Sequence, residues 1–203
     1  KESKKIRFEG NGYGDEWVKE AEKRGLSNLR DTPRALQVWS DKKVHKLFDE
    51  MNVLTSRELS ARQEIEFENY VMKIQIEARV MEEMVRNFII PSAVAYQNKL
   101  IQNVQGLMDV LGSANGKKAS VAQLDMISQI SEHLTSIKES SDKMLAARKK
   151  ANGIEDMEDR AIAYCDTVRV HFDKIRYHVD KIELLIDDEE WRLPKFREML
   201  FTR

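Results

Sequence analysis

Four histidines, His45, His133, His171 and His178, are the first candidates for metal or acid–base chemistry. A di-iron site in a helical bundle asks for Glu-x-x-His pairs that project inward. The residues three before these histidines are Lys42, Ile130, Val168 and Ile175, and none is acidic. His171 and His178 are seven apart and share one helix face, but they lie about 10 Å apart along the axis. That spacing is too long for two ligands of one zinc ion. No His-Glu-x-x-His occurs. The four are read as boundary or surface histidines.

The cluster Gly10-Asn11-Gly12-Tyr13-Gly14 invites a nucleotide test. A dinucleotide loop needs Gly-x-Gly-x-x-Gly between a strand and a helix. Here the third glycine comes one residue early, and no second strand follows. The cluster reads as a link into a capped helix. Cys165 is the only cysteine; His171 is six residues on but on a different helical face, so Cys165 reads as a buried, inert thiol. Glu64, Glu66 and Glu68, and the run Asp187 to Glu190, look like paired carboxylates but read as solvated faces. Tyr70, Tyr164, Tyr177 and the Met81 to Met84 stretch read as core. No catalytic, cofactor-binding or metal-binding residue is assigned.

The elements that would position these groups are helices. Residues Lys4 to Phe8 form a short strand or an extended lead-in. Asp15 can cap a helix that Gly25 ends. Asp31-Thr32-Pro33 starts a second, and Ser40 or Asp41 a third. Thr55-Ser56-Arg57-Glu58 is a capping box, and a long helix starts there. Phe67, Ile74, Met81 and Phe88 recur every seven residues, with Tyr70, Ala78 and Val85 between them. The stripe resumes as Ile90, Val94, Gln97, Ile101, Val104, Met108 and Leu111, with a kink or break expected at Pro91. Gly112 to Gly116 supplies a turn. Ser120 opens a helix striped by Leu124, Ile127, Ile130, Leu134, Ile137, Ser141 and Met144, closed at Asn152-Gly153. Glu155 to Asp159 opens the last long helix, striped by Met157, Ala161, Tyr164, Val168, Phe172, Ile175, Val179, Ile182 and Ile186. Short loops make sequence neighbours antiparallel. The expected fold is all-α: a lobe of short helices over residues 1–54, then an up-and-down antiparallel bundle of long helices over residues 55–203.

The totals agree with long amphipathic rods: 41% hydrophobic and 34% charged residues, with only 8 glycines and 3 prolines in 203. A net charge of −1 leaves no basic excess for nucleic acid. No apolar run approaches the roughly 20 residues of a membrane span. A single cysteine excludes a disulfide scaffold and points to the cytoplasm. The first residue is Lys1, so the chain is expected to be cut from something longer.

Four separated blocks carry a family resemblance. Gly10-Asn11-Gly12-Tyr13-Gly14-Asp15-Glu16-Trp17 and its continuation to Leu36 resemble the C-terminal part of type III glutamine synthetases. So do Asn87-Phe88-Ile89-Ile90-Pro91-Ser92 through to Gln97, Ile175-Arg176-Tyr177-His178 through to Leu184, and Trp191-Arg192-Leu193-Pro194 through to Arg203. The resemblance implies a parent that makes glutamine from glutamate, ammonia and ATP through γ-glutamyl phosphate, with Mg or Mn. It implies a double-ringed homo-oligomer. The parent's metal, nucleotide and glutamate contacts would lie upstream, so no cofactor is expected in this segment.

The resulting expectation is a non-catalytic helical region that packs on its own catalytic domain and on neighbouring subunits. Aromatics at both ends, Trp17, Trp39, Trp191, Phe196 and Phe201, form a candidate docking surface. The alternative is a free-standing helical adaptor for protein partners. No nucleic acid and no membrane are expected as partners.

Overall fold

The computed structural model describes residues 6–200, and the fold is all-α, with no strand among them. The chain divides into two compact units, residues 1–63 and 64–203.

In the first unit, α1 (Asp15–Lys23) is followed by α2 (Thr32–Gln37), a 3₁₀ turn (Val38–Ser40) and α3 (Lys42–Glu50). Of the expected strand or lead-in, Lys4 and Lys5 lie outside the described residues, and residues 7–9 have no regular structure. Asp15 is not the cap of α1. Gly14 takes that position without a side-chain bond, and Asp15 and Glu16 sit in the first turn instead. There they still face the positive end of the helix dipole. Gly25 ends α1 as expected, at φ +70°. Leu26 N–H donates to the Ala21 carbonyl and Gly25 N–H to that of Glu22, the paired bonds of a Schellman ending. Asp31 and Asp41 cap α2 and α3 through the Arg34 and Lys43 amides. Asn52, at φ +51°, closes α3 the same way Gly25 closes α1: Val53 N–H reaches the Phe48 carbonyl at 3.0 Å.

The capping box forms as read. Thr55 N–H donates to the Glu58 carboxylate at 2.8 Å, and Glu58 N–H returns to Thr55 Oγ1 at 3.3 Å. It opens α4 (Ser56–Met84). Gln63, near the start of α4, ties down the short helices. Its amide donates to the Leu36 carbonyl at 2.7 Å and its oxygen accepts from Ser40 at 2.9 Å.

Pro91 does not break the chain's helical path. A π-helical turn, Val85–Ile89, precedes it, and α5 (Ile90–Leu111) continues beyond. Proline lacks the N–H that would bond four residues back, and a widened turn just before it accommodates the loss. The extra residue in that turn carries the α4 heptad on by one position, from Phe88 to Ile89. Val104 is buried as read, while Ile89, Ala93 and Leu100 are buried where the stripe pointed to Phe88, Val94 and Ile101. All three of those are exposed.

Gly112, at φ +76°, ends α5 by itself. Residues expected to be turn are helix: α6 (Ser113–Ala119) packs back on α5 before α7 (Val121–Asn152) begins. α8 (Met157–Ala163), a second π turn (Tyr164–Arg169) and α9 (Val170–Leu185) form the last long element. The Asp156 carboxylate caps it through Asp159 N–H at 2.8 Å. A short α10 (Phe196–Met199) ends the described chain.

Cross-helix hydrogen bonds set direction. Gln97 donates to Ser131, Gln123 to Asn103, and Gln75 to Asn152. Numbers rise on one partner as they fall on the other, so α4–α5 and α7 run oppositely. The core between α7 and the last long element is the pair of stripes read from sequence. Ile130, Ile137 and Met144 meet Ala161, Tyr164, Val168, Ile175 and Ile182, all at 1% exposure or less.

Candidate functional site

The aromatics named as a docking surface are divided between the two units. Trp17, on α1, is half-buried, with its ring 5.0 Å from that of Phe8. Trp39 is half-buried in the 3₁₀ turn. Both belong to the first unit. Trp191 belongs to the second, and its expected exposure is corrected: it is 7% exposed. The chain doubles back after α9, which seats the indole against the helices. Its Nε1 hydrogen finds no acceptor among the described residues. Phe196 is the first residue of α10, and Phe201 lies outside the described residues.

Trp191 lines an apolar groove of about 840 Å³. One wall is the α4 face with Ile76, Val80 and Met84; another is α9 with Val179 and Leu184. The doubled-back tail adds Leu193, Pro194 and Met199. Glu77, Asp180 and Glu183 stand along it, with Arg176 as the one cation. The groove continues onto an unpaired stripe of α4. Ile65, Met72, Ile76 and Val80, spaced by seven, four and four, are each about half exposed. A helical stripe of that spacing is a packing face. Sequence reading missed it because the inward heptad through Phe67 and Ile74 accounts for α4 by itself.

Lys195 fastens the tail. Its ammonium donates to the Glu183 and Ile186 carbonyls at 3.1 and 3.2 Å and pairs with Asp188 at 2.6 Å. These carbonyls are orphans at the C-terminus of α9, where a cation also suits the dipole. Asp188 pairs with Arg197 as well. The Lys195 bond chiefly, aided by Arg197, holds the Asp188 carboxyl below its ordinary value. That contribution is present at neutral pH and disappears as acid protonates the carboxyl. Lys99 on α5 holds Glu190 at 2.6 Å. The run Asp187 to Glu190 is therefore a clamp in part, rather than only a solvated face. Lys195→Met is expected to lower stability by about 1–2 kcal/mol, from two lost carbonyl bonds. Acrylamide quenching of Trp191 should rise with it, and unchanged quenching would show that the tail is held elsewhere.

A second, polar hollow of about 480 Å³ lies where α7 and α9 pack, lined by Ser136, Ser140, Lys143, His171, Lys174 and His178 among others. His171 and His178 are half-buried, as boundary residues should be. Burial, and next the charges of Lys174 and Lys143, hold the His171 pKa below the ordinary value. Tyr177, read as core, is 57% exposed and turns its edge to His178. It lies two residues past the buried Ile175, off the stripe. Cys165 is buried as read, and Glu64, Glu66 and Glu68 are solvated. Among the described residues, no three His, Cys, Asp or Glu side chains gather to hold a metal ion.

Comparison with known proteins gives a consistent family. A model of the glutamine synthetase C-terminal domain matches residues 1–108. Glutamine synthetase of Bacteroides fragilis (strain YCH46) is 40% identical over 201 residues, which is 99% of this chain and 28% of that protein. Type-3 glutamine synthetase of Dictyostelium discoideum is 32% identical over 199 residues, 98% of this chain and 27% of that protein. Glutamine synthetase of Butyrivibrio fibrisolvens is 32% identical over the same share of this chain and 28% of its own. The chain thus spans about 28% of the length of the curated relatives it matches.

Proposed function

Because this chain belongs to the family of glutamine synthetase C-terminal domains, we propose that it is the non-catalytic helical region of a type III glutamine synthetase. The parent joins ammonia to glutamate at the expense of ATP, through γ-glutamyl phosphate and with Mg or Mn. In this reading those steps use residues outside this segment. The segment's work is to pack against the catalytic domain of its own subunit and against neighbouring subunits of a homo-oligomer. The parent works in the cytoplasm; no described helix is long and apolar enough to cross a membrane.

The observation that carries the packing role is the α4 stripe, Ile65, Met72, Ile76 and Val80, running into the apolar groove. A contiguous apolar helix face rimmed by charge supports a protein–protein role. The charged side chains beside it, Glu77, Asp180 and Glu183, are spread along a helix groove and do not converge on one point of attack.

The test uses the intact synthetase that contains this segment. Ile76→Glu with Val80→Glu should shift the assembled particle toward smaller species by light scattering, by more than half at micromolar protein. The KM for glutamate in the remaining assembled fraction should stay within about twofold, since uniform loss of particles does not alter substrate binding. Unchanged assembly would remove the packing role. Glutamine formation by the 203-residue chain alone would remove the non-catalytic one.

A further inference from the structure

His133 of α7 and His178 of α9 meet Nδ1 to Nδ1 at 3.0 Å, with ring centroids 5.3 Å apart and planes at 50°. Those distances place the two rings nearly in line through the contact. Two imidazoles sharing a metal ion would instead converge on a point to one side. A head-on contact at this distance is an N–H···N hydrogen bond. One ring carries its proton on Nδ1 and donates; the other carries it on Nε2 and accepts. If both rings are protonated, two N–H groups oppose each other with no acceptor between two positive charges.

We propose that the His133–His178 contact is a proton-operated clasp, closed by one shared hydrogen and opened when both rings carry a charge. This inference is independent of the family role argued above. It rests on what surrounds the pair. On α7, Glu139 is held by Lys143 at 3.3 Å, Lys138 by Asp142, and Glu132 accepts from Ser128. On α9, Arg176 holds Asp180 at 3.5 Å, Lys181 stands over the Tyr177 ring, and Lys174 and His171 line the same hollow. Asp173 is exposed at its edge. α5, on the other side of α7, brings Lys99, which is turned to Glu190, and Asp109. The π turn before α9 brings Asp166 and Arg169, more than two helical turns from His178. Glu139 and Asp173 line the same hollow as His178, but among the described residues no carboxylate pairs with either ring of the contact. Burial, and then the charge of His133, hold the His178 pKa below its ordinary value.

The sign follows from that direction. A histidine whose folded pKa is depressed takes up a proton more readily when unfolded. Its contribution to stability is complete above the ordinary value, about 6.5, and is lost as pH falls below it. The clasp is closed at neutral pH and opens in mild acid. The strain falls beside Ile130, Ile137, Ile175 and Ile182, the apolar contact between α7 and α9.

The experiment is thermal unfolding of this chain from pH 8 to pH 5, with His178→Asn and His133→Asn beside the wild type. An asparagine amide can occupy the Nδ1 position and keep a hydrogen bond, but it does not titrate. The wild type should lose roughly 3 °C or more beyond either variant between pH 7.5 and 5.5, while all three stay close at pH 8. Long-range ¹H–¹⁵N spectra of the wild-type imidazoles should show opposite tautomers for the two rings at pH 8. Superimposable pH profiles would overturn the clasp. So would one tautomer shared by both rings, a readout that stands even where a variant fails to fold.

Discussion

Gly116→Ala should lower the thermal midpoint by roughly 5–10 °C, an unusual result for a single methyl group. A Cβ built at Gly116 meets Met108 Cα at 2.5 Å, the Leu107 carbonyl oxygen at 2.7 Å and Met108 N at 2.7 Å. All three are backbone atoms of α5, so no side chain can swing away. α6 folds straight back on α5, and this glycine is where the two backbones touch. Overpacking against backbone destabilises by about 3 kcal/mol, which for a chain of this size gives the stated shift. Two other glycines act as controls. Gly112 has open space but sits at φ +76°, ψ 155°, a region essentially reserved for glycine, so Gly112→Ala is expected to lose about 1–3 kcal/mol. Gly106 is helical, with nothing within 4 Å of its Cβ position and an ordinary φ. Gly106→Ala should therefore gain about 0.5–1 kcal/mol from helix propensity. Calorimetry on the three variants checks the order; equal effects would mean propensity alone decides.

The same glycines mark where sequence reading stopped. Gly112 to Gly116 carries turn chemistry by composition, and one residue of it, Gly112, makes the turn. The rest is helix because α6 packs against α5 at Gly116, and tertiary packing outweighs local preference at Ser113 and Asn115. The stripe of α7 was legible because no insertion disturbs its period, and that of the last long element held across its π turn, where Tyr164 and Val168 are both buried. The stripe through α4 and α5 was legible at Val104 and otherwise only up to Val85. After that the π turn at Val85–Ile89 adds a residue, and the face moves from Phe88 to Ile89. The proline that causes it was visible, and the chain's answer to it was not. The histidine pair was missed for a different reason. Spacing tests compare residues along one helix, while His133 and His178 lie 45 apart and meet only because α7 and α9 are antiparallel neighbours. Of the candidate docking aromatics, Trp191 was misjudged because its burial depends on a tail fastened by Lys195, a contact no periodicity encodes.

Tyr164→Ala is expected to destabilise the chain by about 3–5 kcal/mol, the range for emptying a buried aromatic site. Tyr164 is fully buried and is the first residue of the second π turn. Its hydroxyl donates to Asn152 Oδ1 at 2.6 Å, and the same oxygen accepts from Gln75 at 3.3 Å. The last residue of α7, the middle of α4 and the last long element are joined through one amide. Burial holds the phenol pKa above its ordinary value, opposed by the charges of Arg148, Arg79 and Arg160, so the hydroxyl stays a donor at neutral pH. Tyr164→Phe keeps the ring and removes only that bond, and it should lose about 1 kcal/mol. Asn152 would remain held by Gln75, which limits the damage. The gap between the two variants, read from urea midpoints, separates packing from hydrogen bonding at this junction. If Tyr164→Phe lost as much as Tyr164→Ala, the polar junction rather than the ring would be what holds the three elements in register. Asn152→Ala would then have to match both, since it removes the acceptor that Tyr164 and Gln75 share.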